Sequence, residues 1–234
     1  MTTYVGNVSG DVMLYADDDA TGLIAVSGNL YIRAESAQLP SLTGVGGDVT
    51  IDAADARLNA LSGVGGGLHV YAEDAQLAGL ARVAGSLSIY ARNTRLAALA
   101  EVGCNVSIGA EGADLPSLLS VGGDLHVGAE GAHLSALIHV GRSMSVYAKG
   151  TQLSALARVS GGVYIYAEGV RLDVLTNIGS QLAITVEHAH MPALTHVGPA
   201  SFAGILLAGD DMAAIDAILM RAKHASGAAR PEGG

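Results

Sequence analysis

Three kinds of side chain in this sequence could do chemistry, and their spacing decides which kind. Tyrosine stands at Tyr15, Tyr71, Tyr90, Tyr147 and Tyr166, five of the eight in the chain, always at the same place in a recurring unit. Tyr31 and Tyr164 occupy the place two residues earlier in their units. A row of phenol rings makes a stacked ladder between neighbouring strands, or a binding surface that joins apolar area to a hydrogen-bonding tip. Gly109 and Gly128 interrupt the row and are expected to leave a shallow notch between Tyr90 and Tyr147. Ser107 and His126 lie beside that notch. The candidate binding residues are therefore Tyr71, Tyr90, Ser107, His126, Tyr147, Tyr164 and Tyr166.

Histidine invites a metal. Glu187-His188-Ala189-His190 with His196 offers imidazoles near one end, and His133 with His139 echoes part of that pattern. Metal ligands must converge, whereas these positions recur at places in the unit that point to different sides. Neither a metal nor any other cofactor is expected. Asp17-Asp18-Asp19 lacks the Asp-x-Asp-x-Asp-Gly order of a calcium loop. It reads as a solvated corner that discourages pairing at the open end of a sheet.

Cleavage of a glycosidic bond needs two carboxylates a few ångströms apart. Asp52, with Asp48 or Asp55, is the acidic cluster nearest the tyrosine row, and every unit is too uniform in length to build a cleft. No catalytic residue is assigned, and the expectation is a protein that is not an enzyme. No Walker, Rossmann, nucleophile-elbow or zinc-ribbon pattern is present.

The elements that must position these residues follow from one period. An anchor aliphatic residue recurs every 19 residues at Val26, Val45, Val64, Val83, Val102, Val121, Val140, Val159, Ile178 and Val197, after an earlier copy at Val8. A unit this short cannot bury its own apolar face, so the units must stack. Within a unit, as in Leu68, Val70 and Ala72, apolar residues alternate and predict a short strand with one buried face. Ala75, Leu77 and Leu80 then mark a narrow corner, and Gly65-Gly66 is expected to give the turn before the strand its backbone freedom.

Stacking these strands in register gives a parallel β-solenoid of about ten coils, roughly 48 Å long at ~4.8 Å per coil. A left-handed hexapeptide helix would need an aliphatic residue where Gln76, Arg95, Asp114 and His133 stand. Parallel crossovers favour the right hand, so the predicted class is all-β, a right-handed parallel β-solenoid with a C-terminal capping α-helix. Residues 1–7 are an N-terminal segment expected to add one short strand, and 8–208 are the solenoid. Residues 209–225 are the capping helix, opened by Asp210 and apolar at Met212, Ile215, Ile218, Leu219 and Ala222. Residues 226–234 are a tail.

The run Leu-x-x-Leu-x-x-Val-Gly-Gly-x-Leu-x-Val, as in Leu134 to Val146 with Arg142 replacing a glycine, resembles short bacterial and phage leucine-rich-like repeats and the receptor L-domain type of coil. The resemblance covers roughly residues 8 to 200. It departs from ordinary leucine-rich repeats in its Ala-rich corner and in lacking their Asn ladder. What it implies is a fold and a general habit of binding.

Half of the chain is hydrophobic, with one Phe and no Trp, so the core is expected to be aliphatic and narrow. A formal net charge of −10 argues against a nucleic-acid partner. No apolar run reaches the length of a membrane span. The N-terminus shows no signal-peptide pattern and Cys104 is alone, which favours the cytoplasm. Glu35, Glu73, Glu111, Glu130, Glu168 and Glu187 form an acidic row in which Arg92 and Lys149 are expected to relieve repulsion. The function expected is a non-enzymatic repeat scaffold that binds a protein or glycan partner along its Tyr-bearing strand face. The alternatives are a β-helix polysaccharide-degrading enzyme and a structural component that self-associates through the N-terminal edge of the solenoid.

Overall fold

The computed structural model describes residues 1–71, 73–185 and 190–198. Each 19-residue unit makes one turn of an all-β parallel solenoid, and the turns build two long sheets. β1 (Thr3–Val8), β2 (Val12–Leu14), β3 (Asp19–Val26) and β4 (Leu30–Ile32) begin them. The anchor sheet has eleven strands, with β1 and β3 followed by two-residue strands from Gly44–Val45 to His196–Val197. The second, here called the tyrosine sheet, has ten: β2 and β4, then three-residue strands from Val49–Ile51 to Leu182–Ile184. Every pairing is parallel, and past β1 each is in register between equivalent residues, as in Leu87 with Val106 and Ile89 with Ile108. A third side is closed by single parallel bridges from Gln38 and Arg57 up to Arg171 and His190. No helix occurs among the described residues, and none there is long and apolar enough to cross a membrane. The expected capping helix lies outside them.

The narrow core follows from the alternation. Val121, Leu125, Val127, Ala132, Leu134 and Leu137 are all fully buried, and their counterparts in the other coils repeat the arrangement. The two leucines of each corner both point inward because a tight turn joins them, the Leu137 amide donating to the Leu134 carbonyl at 3.1 Å. Where Thr94 and Thr151 replace the corner alanine, the buried hydroxyl donates to the carbonyl three residues earlier, Ala91 at 3.1 Å and Ala148 at 3.0 Å. A buried hydroxyl left unbonded would cost about 1–3 kcal/mol.

Two details differ from the sequence reading. The Gly-Gly pairs Gly46-Gly47, Gly65-Gly66 and Gly122-Gly123 need no left-handed backbone: they are absent from the positive-φ set, in which Gly10 of the first coil, at φ 89°, is the one glycine at this place in the unit. What they allow is close approach of coil to coil, since a Cβ on Gly122 would collide with the carbonyl oxygen of Gly103 in the turn below. The left-handed residue sits later, after the tyrosine strand. It is Ser36, Asp55, Asp74 and Asn93 in the first coils and Gly112, Gly131, Gly150 and Gly169 in the later ones, with φ between 56° and 71°.

A side-chain ladder also exists after all, three residues past the anchor. Asp11 Oδ1 accepts from the Asn29 amide at 2.7 Å, Asn29 Oδ1 from Asp48 at 2.7 Å, and Asp48 Oδ1 from Gly67 at 2.6 Å. It resumes through Ser86, Asn105, Asp124 and Ser143, whose side-chain oxygens accept from Asn105, Asp124, Ser143 and Gly162 at 2.8–3.3 Å. Mixed Asp, Asn and Ser share one task here, presenting an oxygen to the amide of the next coil.

At the N-terminus, β1 pairs only with β3, with register shifts between Thr3 and Val5 and between Gly6 and Asn7. The Tyr4 hydroxyl donates to the Met13 carbonyl on β2 at 3.4 Å. Asp18 ties the same corner, one oxygen accepting from the Thr2 amide at 2.7 Å and the other from the Tyr15 amide at 3.1 Å.

Candidate functional site

The tyrosine sheet turns its odd positions outward, because side chains alternate across a strand. Tyr71, Tyr90, Tyr147 and Tyr166 stand just past its three-residue strands and are 40–54% exposed. Parallel register sets equivalent rings one strand spacing apart, so they stack. Tyr147 and Tyr166 lie 4.7 Å apart between centroids at 5° between planes. Tyr71 and Tyr90 lie 5.7 Å apart at 5°, and His69 continues that stack at 6.5 Å. Four of the five tyrosines in the row thus form two ring pairs, with Gly109 and Gly128 between them, and Tyr15 stands apart.

The notch differs from its expected form. A Cβ on Gly109 would fall 2.6 Å from Tyr90 Cδ1, so the Tyr90 ring already leans over that glycine. The Tyr90 and Ser107 hydroxyls are then 3.5 Å apart. Tyr164 instead leans back along its own coil over Gly162, with its ring edge 2.9 Å from where a Cβ would be, and His69 Nε2 is likewise 3.1 Å from that point on Gly67. Gly128 alone among these outward glycines has no ring over it: an added Cβ would meet only the Ile108 carbonyl, at 3.5 Å. The opening is therefore one coil wide, bounded by Tyr90 leaning on Gly109 and by the face of Tyr147. His126 is exposed within it, two residues before Gly128. A hollow of about 250 Å³ adjoins the first ring pair, lined by Tyr71, Glu73, Tyr90, Arg92, Gly109 and Glu111.

Charge is distributed unevenly around the coil. Among the described residues, the outward rows of this sheet and its flanks hold Asp11, Asp48 and Asp124, then Asp52, then Asp17, Glu35, Glu73, Glu111, Glu130 and Glu168. Against these ten stand Arg33, Arg92 and Lys149. In the acidic row each cation pairs with a glutamate of the next coil, Arg92 with Glu111 at 3.8 Å and Lys149 with Glu168 at 3.0 Å. Glu168 and, at longer range, Glu130 raise the Lys149 pKa. The other described surfaces are nearly balanced, seven carboxylates to six arginines.

The remaining candidates resolve into separate places. His133 and His190 lie in the bridge row, with Nδ1 and Nε2 respectively 3.8 Å from Asp114 and 3.9 Å from Asp173. His139 belongs to the anchor sheet and meets the Ser160 hydroxyl at 3.0 Å. Glu187 and His188 lie outside the described residues, among which no group of three or more potential ligands converges. Asp48 Oδ1 belongs to the ladder, and Asp55 has a left-handed backbone at φ 58°. The acidic Asp17-Asp18-Asp19 corner is a set of backbone acceptors in part: Asp19 Oδ1 takes the Thr21 amide at 3.0 Å and its hydroxyl at 2.7 Å. Sequence reasoning missed the ladder and the lean of Tyr90. The first had a signal in the recurrence of Asp, Asn and Ser at one place in the unit; the second had none.

Comparison of the chain with protein families, with curated proteins and with solved structures finds no match.

Proposed function

We propose that the protein is a non-enzymatic repeat scaffold that binds a partner, protein or glycan, along the tyrosine sheet. The observation that supports this most is the pair of stacked, half-exposed tyrosine couples on either side of the uncovered Gly128. Rigid rings that stay exposed offer contact area at low entropic cost, which is why tyrosine is enriched at interfaces. Within this reading the coils wind to the right, the unit belongs with the leucine-rich-like repeats it resembles, and the 209–225 segment closes the last turn.

The test is replacement of Tyr71, Tyr90, Tyr147 and Tyr166 by Ser, followed by protein and glycan array screening. The rings are outside the core, so the expected result is an unchanged fold with lost binding. Retained binding to every partner recovered with the parent chain would overturn the proposal.

A further inference from the structure

Resting on that reading of the tyrosine sheet as a binding face, we infer that its partner is a cationic protein segment whose arginine or lysine side chain enters above Gly128, against the face of Tyr147. Three observations carry this. First, the face bears ten carboxylates against three cations, while the rest of the described surface is nearly balanced. Solubility alone would not gather the excess on one side; a partner of opposite charge would use it for steering and register.

Second, the opening has the shape for one flat group. Equivalent residues of adjacent coils are about 4.8 Å apart, so a planar cation at the Gly128 level lies one stacking distance from Tyr147. Tyr166 backs that ring at 4.7 Å and leaves its opposite face toward Gly128. A guanidinium over a tyrosine face gains cation–π attraction, and its N–H groups point outward to the rim.

Third, carboxylates flank the opening at both ends of the strand, Asp124 four residues before Gly128 and Glu130 two residues after it. Asp124 uses Oδ1 in the ladder, accepting from Ser143 at 2.8 Å, and Glu130 flanks the strand's other end. Lys149, the nearest cation of the acidic row, is turned to Glu168. An anionic glycan would meet a carboxylate at each end of the strand, Asp124 and Glu130. A neutral glycan can donate hydroxyls to single carboxylates but gains nothing from their summed charge.

Binding of fluorescent oligo-arginine, oligo-lysine, oligo-glutamate and neutral chito-oligosaccharide probes to the full chain tests this at low and high salt. Gly128→Tyr closes the opening without strain, since its φ is not left-handed and the new Cβ meets only one carbonyl at 3.5 Å. Asp124→Asn with Glu130→Gln removes two rim charges while Asn keeps the ladder acceptor, as Asn105 does. Glu101→Gln with Asp114→Asn removes the same charge from other surfaces. The expected result is basic-peptide binding that weakens steeply with salt and falls about tenfold or more in Gly128→Tyr. It also falls several-fold in the rim pair and in Tyr147→Leu, and is little changed in the control pair. Equal loss in the rim and control pairs means a general charge effect and overturns the inference. Chito-oligosaccharide binding that Gly128→Tyr abolishes, with oligo-arginine unbound, overturns the cationic partner but leaves the binding face standing. No probe affected by Gly128→Tyr or by the four tyrosine replacements defeats both.

Discussion

Single residues here act mostly by where they put an oxygen or allow a backbone twist. Asp18 is the clearest acid. The Tyr15 amide, then the Thr2 amide, holds its carboxyl below the usual carboxylate range. A pKa lowered in the folded state contributes stability above the ordinary value and loses it as pH falls through the folded one. Acidification should therefore loosen β1 before the central coils. Protection factors for Thr3–Val8 should fall below those of 87–108 as pH drops through the carboxylate range, and Asp18→Asn should flatten that dependence. Equal protection across the range would refute it. The left-handed corner makes a second residue-level prediction. Gly131→Ala, at φ 70°, should cost about 1–2 kcal/mol. Gly131→Asn should cost less, because Asn tolerates this conformation and Asn93 already adopts it at φ 57°. Urea denaturation of the two variants would measure the difference.

At the scale of the element, each coil is held by an apolar layer inside and by amide-accepting side chains at its rim. Leu118 is fully buried in the middle of the stack, with leucines of the same row above and below it. Leu118→Ala should cost about 3 kcal/mol, measurable by urea denaturation, because the neighbouring coils are too regular to collapse into the space. The ladder is smaller in effect. Asn105→Ala leaves the Asp124 amide without its 2.8 Å acceptor and should cost about 1 kcal/mol, whereas Asn105→Ser should recover part of it. Identical losses for Ala and Ser would mean that water replaces the acceptor. Such a rim explains how a chain with a narrow aliphatic core tolerates different residues at one place: Asp, Asn and Ser all carry the required oxygen.

Across the whole molecule, repetition separates two jobs. Inward rows are nearly invariant and build the rod; outward rows vary and give each side its own charge and shape. The acidic tyrosine face and the nearly balanced remainder are a property of no single coil. Much of this was legible in advance. Val at every nineteenth place, the alternation around Leu68 and Val70, and the corner leucines announce stacked coils with one buried face, because burial demands the same residue type at the same place in every turn. The left-handed corner was hidden by its own chemistry, since Ser36, Asp55, Asp74 and Asn93 meet the need in some coils and glycine in others. The ladder was hidden likewise, its oxygen coming from three residue types. The sequence by itself determined the period, the inward face and which residues share an outward row, all consequences of local alternation and of a unit too small to fold alone. Only the tertiary structure decided between Gly109 and Gly128, which occupy the same place in successive units. The Tyr90 ring leans along the rod onto the next coil, so it fills the gap at Gly109 and leaves the one at Gly128 open.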